Sequence, residues 1–478
     1  MLQAFPSLHS LPAQRALHNR CLPGLLYVVL MQLAAASTWA AAAPGPVTPS
    51  WQQEYWARLD KHDWDAAIAS AEQLVAAARP ASAKSGLRLA EALTLLGNAQ
   101  LGKGNLVAAE AAYSESLSLT EKYTDRSSAR LVDPLRGMGY TLVAGGKHAK
   151  AIPYMDRALL ISRRTAGLFD VSQQGLLRQL AISQAAVGSP VEGEKHMQYL
   201  VRLAEHAYGE KDPRMVSVHC AVGRWYADVA QMEQARQSYR TALGLAERSE
   251  GRNELLVVEP LRGLARTFTE EIGLRAMGIE TRKEGLAPSE DTMNQVIEPF
   301  NPRYIPTEGE RSLIRALKVL ESNPKRSTAT LIETLVQTGD WFTMKMQPSK
   351  AFAYYGEAAS VIAGSTGQAD DADAGNALLL LSFPAQVYYP PPPLANRNLM
   401  LPPEAVTERF AQVEFTVLPN GVTRDGRVVD HDASDRQVQQ TLDAIEGARY
   451  RPKFVDGKPV ETLAVSFRQM FRDRKQSE

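Results

Sequence analysis

The chain has 478 residues, room for two or three domains, and 45% of them are hydrophobic against 22% charged. Lys and Arg number 53, as do Asp and Glu, so the total charge gives no argument for nucleic acid or an anionic membrane surface as partner. Two cysteines in this length exclude a disulfide framework.

The N-terminus reads as a targeting segment. Arg15, His18 and Arg20 precede an apolar run over 25–43, which ends in Ala40-Ala41-Ala42-Ala43 and then Pro44-Gly45-Pro46. Basic, then apolar, then small residues describe a secretory signal peptide over 1–43. The alternative is a retained anchor, because 22–43 is long enough to cross about 30 Å of hydrocarbon. Pro23, Gly24 and the Ala-rich half favour the signal. Either way the remainder leaves the cytoplasm. Cys21 lies inside this segment, which leaves Cys220 alone in an apolar helical pattern, expected as a buried small residue.

From 51 to 363 the dominant signal is self-similarity. Copies of a small-residue turn followed by an Ala-containing helix start at 62, 104, 146, 188 and 230, a period of 42. Gly104, Gly146 and Gly188 open the turns, and Ala109, Ala151 and Ala235 recur just after them. Tyr113, Met155, Met197 and Tyr239 form a large-residue column. Gly97, Gly139, Ala181 and Gly223 form a small one. Each copy divides into two helix-periodic halves around its turn. Pro260-Leu261-Arg262-Gly263 repeats Pro134-Leu135-Arg136-Gly137 three periods on, so a sixth copy begins in register. It breaks in an insertion over 272–306. A helix over 307–322 and a hairpin over 328–363 follow, with Gly339, Phe342, Ala351, Tyr355 and Ala358 in the same roles.

Gly97, Gly104, Ala109 and Tyr113 resemble the tetratricopeptide pattern, in which Gly and Ala let two helices approach and a ring fills the gap to the next hairpin. The resemblance implies a right-handed α-solenoid with longer helices than the usual 34-residue repeat.

Composition changes over 364–403. Asp370, Asp371, Asp373 and Gly375 lack the spacing and the following Glu of a calcium loop. Pro390-Pro391-Pro392-Pro393 predicts an extended, stiff linker. Beyond it the hydrophobic period becomes 2. Val413, Phe415 and Val417 predict a strand, Asn420-Gly421 a turn, and 422–429 a second strand with Gly426 at a bulge. Ser434 caps a helix to about 446, Asp456-Gly457 turns, and Leu463, Val465 and Phe467 alternate inward in a last strand. The expected domain over 404–478 is β-β-α-β.

Val413-Glu414-Phe415-Thr416-Val417, Asn420-Gly421, Ala444-Ile445, Arg449-Tyr450-Arg451-Pro452, Asp456-Gly457-Lys458-Pro459-Val460 and Val465 with Phe467 together resemble the TonB C-terminal domain, over about one seventh of the chain. The resemblance implies that a short segment of an outer-membrane receptor is received beside the last strand. The residues of that strand are Val460, Thr462, Leu463, Ala464, Val465, Ser466 and Phe467, and the physical mode is strand addition. The apolar N-terminal segment lacks the family's membrane His, and a long Pro-rich spacer is absent.

No catalytic, cofactor or metal constellation is present. Gly102-Lys103-Gly104 lacks the rest of a phosphate loop. His62, Asp63, Asp65, His148, His196, His431 and Asp432 fall at turns or variable repeat positions. The expectation is therefore a non-enzymatic periplasmic adaptor that binds other proteins and no nucleic acid, touching a membrane only if its N-terminal segment is retained. The alternative is an inner-membrane-anchored energy transducer of the TonB type.

Overall fold

The computed structural model describes residues 63–81, 86–249, 254–276, 306–365, 380–390, 392, 395 and 405–475. The expected signal peptide, the Asp370 to Gly375 run and most of the insertion lie outside them. The chain divides into two compact units, Met1–Glu210 and Lys211–Glu478.

The first unit holds helix α1 (Trp64–Ala78) and the hairpins α2 (Gly86–Lys103) with α3 (Leu106–Tyr123), α4 (Val132–Ala144) with α5 (His148–Thr165), and α6 (Gln174–Ala186) with α7 (Pro190–Tyr208). Every hairpin turns on the same device. At the end of α2, Gly104 adopts φ +85°, its N–H donates to the Leu101 carbonyl at 3.0 Å, and Asn105 N–H donates to the Gln100 carbonyl at 2.9 Å. This left-handed cap satisfies two carbonyls that the helix end would leave orphaned. Gly146 (φ +70°) and Gly188 (φ +82°) repeat it. The 42-residue period is thus the recurrence of one backbone corner.

A second constraint is the seat of the large residue. The Tyr113 ring lies against Gly97 of its own hairpin and Gly137 of the next. A Cβ on either glycine would come within 2.7 or 2.2 Å of the ring. Its hydroxyl donates to Asn98 Oδ1 at 2.6 Å. Met155 and Met197 hold this column in the next two hairpins, where the residues one period beyond Gly137 are Gln179 and Ala221. Within this unit the ring stands where the following hairpin supplies Gly137, and the thioether of Met155 where it supplies Gln179.

The second unit begins with the hairpin α8 (Met215–Asp228) and α9 (Met232–Arg248). Its corner residue is Ala230, at φ +62°, so an alanine adopts the conformation glycine holds elsewhere. The Tyr239 ring again sits between two glycines, Gly223 and Gly263. Helix α10 (Val258–Ala276) packs against α11 (Thr307–Ser322), so the break in the period is an insertion at the corner of one hairpin. Helices α12 (Thr328–Met344) and α13 (Pro348–Ser365) form the last hairpin, turning at Met346 with φ +57°. Trp341 rests on Gly309, and Tyr355 on Gly339.

The small domain follows with β1 (Ala385–Tyr388), β2 (Val406–Val417), β3 (Thr423–His431), α14 (Asp435–Gly447), β4 (Arg449–Arg451), β5 (Lys453–Val455), β6 (Lys458–Val460) and β7 (Thr462–Arg474). Its main sheet has the order β3-β2-β7. Ser434 caps α14 with a full capping box through Gln437. Asn420-Gly421 makes the β2–β3 turn, with Gly421 at φ +76° where a Cβ would strike the Tyr450 carbonyl. Asp456 and Gly457, both at positive φ, make the two-residue turn of the β5–β6 hairpin. The core is Tyr389, Val413, Phe415, Val417, Ala444, Ile445, Ala448 and Tyr450, with Val465, Phe467 and Leu442 packed on it.

Two expectations need correction. The stretch expected as linker contributes to the domain: β1 pairs with β4, and Tyr389 is 6% exposed in the core. The alternation of Leu463, Val465 and Phe467 is broken. Ala464 takes φ +53°, and the β2–β7 register slips there. This bulge turns Leu463 outward to 70% exposure, while Val465 and Phe467 stay inward.

Candidate protein interface

The three-stranded sheet has two edges, and they differ. Strand β3 slips register against β2 twice, near Asp425 (φ +56°) and between Asp430 and Val428. Bulges of this kind blunt an edge against further pairing. Strand β7 has its one bulge at its start and then pairs with β2 without interruption from Val465 to Arg474. Among the described residues, no strand pairs with its other side. That side is a regular ten-residue row of alternating main-chain donors and acceptors.

The residues expected on one receiving strand do not form one continuous strand. Val460 belongs to β6, where it pairs with Lys453. Thr462, Leu463 and Ala464 lie at the bulge, and only Val465, Ser466 and Phe467 fall on the regular edge. The regular edge continues through 468–474. Phe467, Gln469 and Phe471 alternate with Ser466, Arg468, Met470 and Arg472, a period-2 signal diluted by the arginines.

The two faces of β7 are distinct. On the covered face Phe467 meets the Tyr389 ring at 4.7 Å between centroids, Gln469 Oε1 accepts from the Tyr389 hydroxyl at 2.9 Å, and Phe471 is buried with Ala395, Ala411 and Ala433. On the open face Arg468 lies over the Phe410 ring at 3.5 Å, and Arg472 pairs with Glu408 at 3.1 Å.

The domain is fixed to the last hairpin by a polar cluster. Arg451 Nη1 donates to both Asp340 carboxylate oxygens, at 3.0 and 2.8 Å. The Tyr355 hydroxyl donates to Asp340 Oδ1 at 2.7 Å. Burial, with the Asp340 charge beside it, holds the Tyr355 phenol well above its usual pKa. Phe454 meets the Tyr355 ring edge-on at 6.0 Å, and Val387 packs on the cluster of Trp341, Phe268 and Leu313. Asp340 follows Gly339 as Asn98 follows Gly97, so a carboxylate stands where the earlier hairpin has an amide, and Arg451 answers it.

In each unit, polar residues line the first helices of the hairpins. In the first unit, burial raises the Tyr140 phenol pKa while Arg136 and Arg178 oppose the shift, and the hydroxyl abuts Gly175. In the second, Asp228, Arg266 and Glu270 make a chain, with Arg266 at 3.4 Å from Asp228 and 2.6 Å from Glu270. Partial desolvation among the helices raises the Asp228 carboxyl pKa, against the pull of Arg266, while half of its side chain stays exposed. Cys220 is buried, which raises its thiol pKa and leaves it unreactive. His148 Nδ1 lies 3.2 Å from the Ser183 hydroxyl between two helices. Among the described residues no group of three or more His, Cys, Asp or Glu is placed to hold a metal, and no helix is long and apolar enough to cross a membrane.

Left-handed corners and glycine-seated rings define the class: a tetratricopeptide-like helical-repeat array followed by a small strand-containing domain. No family model matches the chain, and no curated protein matches it significantly. Among solved structures it is similar to BtubC (BKLC) from P. vanneervenii, at 18% identity over 55% of this chain and 96% of that one, with a TM-score of 0.40. It is also similar to the apo form of RapI, at 10% identity over 78% and 96%, with a TM-score of 0.37. The repeat class rests on the corners and ring seats rather than on these distant likenesses.

Proposed function

We propose that this chain is a non-enzymatic, exported adaptor that joins two polypeptides. The repeat array holds one through its polar helix faces. The small domain takes an extended segment of another by strand addition on β7. The observation that carries this reading is the contrast between the sheet's edges, one bulged twice along its length, the other regular for ten residues. Main-chain pairing along such an edge supplies affinity, and alternate side chains supply selectivity. The resemblance of 413–467 to the TonB C-terminal domain supports a receptor segment of the outer membrane as the extended partner, and the apolar run over 25–43 supports a periplasmic location.

The test uses the mature chain and an array of twelve-residue peptides tiled across the periplasm-facing segments of outer-membrane receptors from the same cell. Binding peptides are remade with N-methyl groups on alternate amides. The expected result is capture that one of the two methylation phases abolishes. Absence of any bound peptide, or binding indifferent to both phases, would overturn strand addition.

A further inference from the structure

The open face of this sheet already matches opposite charges from strand to strand. Between β3 and β2, Arg427 pairs with Glu414 at 2.9 Å. Between β2 and β7, Glu408 pairs with Arg472 at 3.1 Å. The outermost strand then carries Arg468, Arg472 and Arg474 at alternate-residue register on that face, flanking Met470; Arg472 is 11% exposed and engaged by Glu408, so Arg468 and Arg474 are the groups it offers outward. Arg468 and Arg474 are exposed, as is Lys475 beyond them. Asp473, the one carboxylate of this stretch, projects to the other face, where it accepts from Gln437 at 2.9 Å and pairs with Arg409 at 3.2 Å. The edge that offers main-chain groups is therefore basic on one face.

Resting on the strand-addition reading, we infer that the partner segment is an extended peptide with carboxylates at alternate positions, so that Asp or Glu side chains continue the charge alternation of the sheet beyond β7. Directly opposed side chains on neighbouring strands lie about 4.5–5.5 Å apart at Cβ, and each opposite-charge pair contributes roughly 0.2–1 kcal/mol. Two such pairs, at Arg468 and Arg474, amount to about a tenfold preference at low salt. The same arithmetic disfavours a second copy of this chain, because two antiparallel β7 edges would set arginine opposite arginine.

The experiment uses the full chain and two synthetic ten-residue peptides of alternating Thr and charge, one carrying Glu and one Lys, titrated calorimetrically at 50 and 300 mM NaCl. The Glu peptide is expected to bind about tenfold tighter at low salt, with the gap narrowing at high salt. Arg474→Glu, at an exposed position, should narrow the gap, and Arg468→Gln/Arg474→Glu should close or invert it. A thermal melt shows whether each variant is folded. Equal affinity for both peptides, or preference for Lys, overturns the inference. If both bind equally and alternate N-methylation abolishes binding, strand addition survives and only the charge rule falls. If neither binds, both fall.

Discussion

The hairpins of Tyr113 and Tyr355 use one ring seat for two different neighbours. Tyr113 is held between Gly97 and Gly137, and its hydroxyl finds the neutral Asn98. Tyr355 rests on Gly339 in the same way, but its hydroxyl finds Asp340, which Arg451 of the small domain engages with both oxygens. One change of side-chain charge turns a position serving repeat-to-repeat packing into an anchor for a different fold. A repeat ring needs only a bare backbone beside it. A docked domain needs a directional, charged contact, because its own surface lacks the repeat's shape.

The largest test of that contrast removes the ring. Tyr113→Ala should lower stability by about 3–5 kcal/mol in urea unfolding, the cost of an aromatic cavity. Gly137→Ala should also destabilise, by about 1–3 kcal/mol, because its Cβ meets the ring. Combined with Tyr113→Met it should cost much less, as Met155 coexists with Gln179 at the corresponding position. Simple additivity of the two changes would show that the seat does not select the ring.

Next is the anchor. Asp340→Asn should keep the Tyr355 hydrogen bond, as in the Asn98 hairpin, and lose the Arg451 pair. The side chains are 28% and 10% exposed, so about 2–3 kcal/mol is expected, below the full cost of breaking a deeply buried pair. Hydrogen exchange should speed up in β4 to β6 and remain unchanged in α2 to α7. Acceleration spread evenly along the chain would show that Asp340 is not a local anchor.

The smallest effect concerns the corners. Gly104→Ala should cost about 1 kcal/mol, since φ +85° is strained for any residue with a Cβ. Ala230→Gly, at φ +62°, should be neutral to stabilising by up to about 1 kcal/mol. Matched thermal melts check both, and a loss in each case would mean the corners are not equivalent.

Much of this was legible in one dimension because it is local. A left-handed corner needs glycine, so Gly104, Gly146 and Gly188 mark the period in the chain itself, and the capping box at Ser434 and the turn at Asn420-Gly421 announce themselves likewise. The bulge at Ala464 did not. A single residue leaving the pleat is decided by pairing with β2, and an uninterrupted apolar alternation conceals it. Nor could spacing reveal that β1 reaches back to β4, or that Arg451 finds Asp340 across 111 positions, because those contacts form only when distant segments meet. Sequence alone determined the repeat, its corners and the change of period within the small domain. Tertiary structure decided which sheet edge stays regular and which charges face it, since an edge exists only once the other strands have taken their places.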